Sequence, residues 1–216
     1  MKKGMIIVCP DYDDVTKVFL DFSKEIKDLA ASKSLGLKEL NEKDANAKEF
    51  GKVLSSLNFS FVCINGHGNK DIVAGHKGKV ILSKDTNFEE YGKRICYCRS
   101  CESGKVLGGK LVKSGGAFIG YSEPFEFFMD ERNMATPLRD PAANLFLKPS
   151  NTVPNTLLKG KTVDEANSRG KNAFLKSIKK VINNEDSNLL MAVALWKNYN
   201  SQVVHGDGSL TISSKF

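Results

Sequence analysis

Short apolar runs, each closed by a turn residue and separated by stretches of helical spacing, constrain this chain more than any other feature. Residues 4–9 end at Pro10. Phe59, Phe61, Val62, Cys63 and Ile64 lead into His67 and Gly68, and Ile95, Cys96, Tyr97 and Cys98 lead into Cys101. Residues 115–121 form a further run of small and apolar side chains, and shorter strands are expected over 37–40 and 80–83. Such runs suit strands of a parallel sheet covered on both faces. Helical patterns lie between them. A helix from Asp14 places Val15, Val18, Phe19, Phe22, Ile26 and Leu29 three and four residues apart, as one buried face requires. Further helices are expected over 43–57, 105–113, 137–151, 162–181 and 187–199, with a helical turn over 86–93 and a loop containing Pro154 between 137–151 and 162–181. Alternating strands and helices predict an α/β fold with a mostly parallel sheet and helices on both faces.

The chain has 216 residues, 41% of them hydrophobic, enough to bury a core without disulfides and to form one domain over 1–216. Its first apolar stretch, residues 5–9, is shorter than a signal peptide needs, and no stretch approaches membrane-spanning length. Five cysteines, an odd number, fit reduced thiols better than a disulfide framework. These features predict a cytoplasmic protein with no membrane partner. The net charge of +7 comes from scattered lysines, with no basic stripe interleaved with aromatics, so no nucleic-acid partner is expected.

In sheets of this kind ligands bind beyond the carboxyl ends of the strands, where His67 and Cys101 both fall. A thiol becomes a nucleophile on losing its proton, which a neighbouring imidazole can take. A helix beginning near Glu102 to Lys105 would further favour the thiolate. Gly68 has no side chain to hinder approach, and its N–H with that of Cys101 could form an oxyanion hole. Taken singly, a cysteine is most often a core residue, and Cys9, Cys63, Cys96 and Cys98 are assigned to the core. A histidine beside glycines is most often a turn residue; the pairing at two strand ends is what distinguishes His67 and Cys101. Cys96, Cys98 and Cys101 also spell C-x-C-x-x-C. A strand sends Cys96 and Cys98 to one face and leaves Cys101 past its end, a poor match to zinc knuckles, so neither metal nor cofactor is expected. Asn65, Asn69 and Asp71 are all available to orient the imidazole.

These residues also carry a resemblance. INGHGN, around His67, resembles the His-Gly motif of the caspase-like (clan CD) cysteine peptidases, and RSCESG, around Cys101, resembles the nucleophile motif of their CHAT, gingipain and clostripain branches. GGAFIGYSEP looks like the glycine-rich strand after the nucleophile helix, and VVHGDGSLTI resembles the Gly-Asp-Pro-Ser-Leu segment near the end of such domains. The order is kept from Phe61 to Ile212. Ser100 stands where the family usually has alanine, and Gly208 where the late motif has proline.

The resemblance implies a three-layer α/β/α sandwich with a mostly parallel caspase-like sheet, and an endopeptidase acting on a protein or peptide, with His67 as general base and Cys101 as nucleophile. It also implies that the segment after the strand of residues 115–121 lines the pocket for the side chain preceding the cut. Glu123, Glu126 and Asp130, set among aromatics there, would suit a substrate Arg or Lys. The alternative is a caspase-like interaction or regulatory module that stays silent until a protein partner arrives.

Overall fold

The computed structural model describes residues 2–86, 94–185 and 188–214; the helical turn expected over 86–93 lies almost wholly outside them. Eight strands follow in chain order: β1 Lys2–Cys9, β2 Gly36–Asn41, β3 Phe59–Asn65, β4 Ile72–Ala74, β5 Val80–Ser83, β6 Ile95–Arg99, β7 Ala117–Tyr121 and β8 Gln202–Gly206. Six build one sheet in the order β2-β1-β3-β6-β7-β8, and β4 and β5 pair as a separate hairpin. Every neighbouring pair in the large sheet is parallel except β7 and β8.

The helices are α1 Asp14–Ser32, α2 Ala47–Ser56, α3 Leu107–Leu111, α4 Pro141–Leu158, α5 Val163–Ile182 and α6 Leu189–Ser201. Strand alternation sorts them into layers. Met5, Ile7, Phe61, Cys63, Tyr97 and Ile119 face a core shared with α1, α4, α5 and α6. Ile6, Val8, Val62, Ile64, Cys98 and Phe118 face a second core built with α2, α3 and the β4–β5 hairpin. The result is a three-layer α/β/α sandwich.

Local chemistry sets most boundaries. Asp13 caps α1 by accepting from the Thr16 N–H at 2.9 Å, and Thr162 and Glu165 close a capping box on α5. Three helices depart from the spacing-based expectation. The segment expected as a helix over 43–57 is a single 3-10 turn, Glu42–Asp44, followed by α2. α3 is only five residues long, with turns occupying 101–106 before it. α4, in contrast, continues past residue 151 and through Pro154, where a loop was expected, to end at Leu158. Pro154 has no N–H to donate to the Ser150 carbonyl. The Tyr97 hydroxyl donates to that carbonyl instead, at 3.0 Å, so the vacancy is filled from the sheet.

Candidate active site

Neighbouring strands carry His67 and Cys101 at the same level. β3 and β6 pair with Asn65 opposite Arg99, and the Gly66 N–H donates to the Arg99 carbonyl at 3.2 Å. His67 and Cys101 each follow that pair by two residues, just beyond the carboxyl edge of the sheet. Both line a cleft of about 400 Å³, with Gly66 and Ser100 beside them. Val15 and Phe19 of α1 and residues 125–128 supply its other walls.

His67 has a partner that the sequence did not suggest. Its Nε2 lies 2.8 Å from Asp13 Oδ2, while Asp13 Oδ1 serves the α1 cap. Burial raises the Asp13 carboxyl, but the N–H and hydroxyl of Thr16 and the His67 ring outweigh it and hold the group below its ordinary value. Ionised Asp13 therefore accepts from Nε2–H and leaves Nδ1 as the ring nitrogen able to take a proton. The three residues available from sequence are engaged elsewhere. Asn65 bonds to the Val8 carbonyl and accepts from Arg99 Nε, Asn69 caps its own turn, and Asp71 pairs with Lys70 and Lys84.

At Cys101 the electrostatics differ from the expectation. Because α3 starts only at Leu107, no helix begins directly after Cys101. Burial pushes the thiol above its ordinary value, and the charges of Glu102 and Glu126 push the same way; the N–H groups of Phe125 and of Cys101 itself oppose them. Glu102, next in the chain, holds a left-handed backbone with φ of 52°, which disfavours a non-glycine residue by roughly 1–2 kcal/mol.

Gly68 forms a bridge with Val73 flanked by bonds from the Asn69 N–H to the Ile72 carbonyl and from the Ala74 N–H to the His67 carbonyl. It is thus the non-hydrogen-bonded member of that ladder, and its own N–H is not spent there. A Cβ at Gly68 would strike Ser100 Oγ and lie 2.6 Å from the Ile72 carbonyl oxygen, so only glycine allows this approach. Ser100 Oγ is itself buried with no hydrogen-bond partner among the described residues.

The three acidic residues are each paired with a cation. Glu123 lies outside the cleft lining, 60% exposed, 3.6 Å from Lys105. Asp130, also outside the lining, meets Arg132 at 2.6 Å, which lowers its carboxyl to about 2. Glu126 does line the cleft, but its Oε1 takes Lys197 Nζ at 2.8 Å. Of the remaining thiols, Cys98 is buried in the second core with Cys96 packed against it. Among the described residues no three His, Cys, Asp or Glu side chains gather as a metal site, and no helix is long and apolar enough to cross a membrane.

The six-stranded, mostly parallel sheet between two helical layers is a caspase-like fold. One solved structure that shares it is the complex of the pro- and mature domains of RgpB from Porphyromonas gingivalis, matched over 97% of this chain with a TM-score of 0.60 and 11% identity. This chain spans 48% of that one. A secreted C11 cysteine protease from Bacteroides thetaiotaomicron, iotapain, overlaps 57% of this chain and 53% of its own, with a TM-score of 0.41 and 10% identity. No protein-family model and no curated protein matches the sequence.

Proposed function

We propose that this protein is a cysteine endopeptidase in which Cys101 attacks the peptide carbonyl and His67, held by Asp13, moves the protons. The observation that carries this reading is the shared position of His67 and Cys101, two residues past the Asn65–Arg99 pair and in one cleft. His67 takes the thiol proton through the ring nitrogen that Asp13 leaves free, and the thiolate adds to the carbonyl carbon. The N–H groups of Gly68 and Cys101 receive the oxyanion. The amine leaves with the proton from His67, and water, deprotonated by the same ring, releases the acid product and restores the thiol. A cytoplasmic setting belongs to the same proposal, on the strength of the odd cysteine count. The basic-residue preference expected from Glu123, Glu126 and Asp130 gains no support, because each already has a cation partner.

The raised Cys101 thiol favours a second reading, a domain silent until a protein partner or substrate reshapes the cleft. Covalent labelling with a peptidyl acyloxymethyl ketone separates the two. The peptidase reading expects modification at Cys101 near neutral pH, lost in His67→Ala, and no cleavage by Cys101→Ala at unchanged melting temperature. A small alkylating agent should report the thiol's own ionisation: its rate with His67→Ala should keep climbing past pH 9, because burial moves the thiol upward from its ordinary value. Alkylation of Cys101 only at alkaline pH, with no peptide-directed labelling or cleavage, would favour the silent module.

A further inference from the structure

We infer that the cleft beside Cys101 selects substrates by a large apolar side chain, aromatic foremost, next to the cleaved bond. This rests on the peptidase reading above and adds the substrate class.

The walls decide it. Phe19 from α1 meets Phe125 edge-on with ring centres 6.1 Å apart and Phe127 at 5.6 Å. Beneath, the guanidinium of fully buried Arg99 lies 4.8 Å from the Phe19 ring centre, fixing that ring from the core side. Phe125 is 7% exposed and rests on Tyr121, with centres 4.8 Å apart, whereas Phe127 and Phe128 are only partly buried and present free ring surface. A chamber of about 400 Å³ with aromatic walls and a few polar groups at one end is built to desolvate an apolar side chain while the polar end handles the peptide bond.

The charges argue against a basic substrate side chain. Glu126 is the one carboxylate lining the cleft among the described residues, and its position is fixed twice. Its side chain holds Lys197, and its backbone is gripped by Asn198, which accepts from the Glu126 N–H at 3.0 Å and donates to its carbonyl at 2.6 Å. An arriving guanidinium would have to share Glu126 with Lys197, which already holds Oε1, and shed its own water among phenylalanines, where a charge without its own partner is disfavoured. An aromatic ring meets no such barrier and gains offset or edge-to-face contacts.

The ranking is read by calorimetry on Cys101→Ala, which binds without reacting, using N-acetylated tetrapeptide amides that differ only in one residue: Phe, Leu, Arg or Asp. The Phe peptide should bind at least tenfold more tightly than the Arg and Asp peptides, with Leu between. Phe127→Ala in the same background should lower affinity for the Phe peptide about tenfold and leave the Arg peptide nearly unmoved. Equal affinities, tighter binding of Arg or Asp, or no measurable binding of the Phe peptide would overturn the inference. Labelling of Cys101 in the native protein by the matching electrophiles reports separately on the peptidase reading: a folded protein that ranks the peptides as expected but labels with none keeps the apolar cleft and loses the chemistry.

Discussion

Two pairs of side chains, two residues apart along the same two stretches of chain, sit in opposite surroundings. Asn65 and Arg99 are fully buried: Arg99 Nε donates to Asn65 Oδ1 at 2.9 Å and Nη1 donates to Asn151 Oδ1 on α4 at the same distance. His67 and Cys101 open onto the cleft, with the His67 side chain 42% exposed. The first pair braces β3, β6 and α4 together with hydrogen bonds that water cannot compete for. The second pair inherits that rigidity without being buried by it. A catalytic pair, as proposed for His67 and Cys101, needs both conditions, fixed backbones and free side chains, and the proposal draws them from positions two residues apart rather than from one compromise.

The brace gives the largest expected effect. Arg99→Ala orphans two buried amides and opens a cavity, which should lower stability by about 3 kcal/mol or more. Urea unfolding measures it. An unchanged midpoint with lost activity would dissolve the distinction between brace and site.

Asp13→Asn probes the open pair. Asparagine caps helices about as well as aspartate, so α1 should survive, while the carboxylate that holds the His67 ring is gone. Turnover should fall on the order of 10²-fold, the scale of a positioned general base, with little shift in melting temperature. The dependence on pH sharpens this further. The Asp13 carboxyl is lowered in the folded protein, so its stabilising contribution is present above its ordinary value and is lost as pH falls through the lowered one; the variant should show a shallower loss of stability in acid. Equal turnover of variant and native protein would remove Asp13 from the site.

Ser100→Ala should have the smallest effect, in the opposite direction. It deletes a buried hydroxyl that has no partner among the described residues. Stability should rise by up to about 1 kcal/mol, since an unmade hydrogen bond is no longer buried. A clear loss of stability would show that the hydroxyl is satisfied in solution.

How much of this was legible beforehand depended on whether a feature is local. Apolar runs and turn residues located all the strand ends that carry His67 and Cys101, because a strand's burial is written in its own composition. The α1 face was equally readable from its three- and four-residue spacing. Asp13 was not. In the structure it caps α1, and only the placement of β1 beside β3 brings it to His67. The helix expected to favour the Cys101 thiolate failed for a related reason: the backbone after Cys101 is tied across to β7 and the segment beyond it, the Glu102 N–H to the Glu123 carbonyl and the Gly104 N–H to the Tyr121 carbonyl, and this holds it in turns.

The sequence by itself determined the layered α/β architecture, the strand ends and the places of His67 and Cys101 just beyond them, because periodicity and turn chemistry act over a few residues. The tertiary structure decided their surroundings. It ran α4 through Pro154 by lending the Tyr97 hydroxyl, gave Glu123, Glu126 and Asp130 cation partners, and set Phe19 against Phe125 and Phe127 as the walls of the cleft. Except for Asp130 and Arg132, two positions apart, such pairings join residues far apart in the chain, and they exist only once strand order and register have fixed which distant groups share a space.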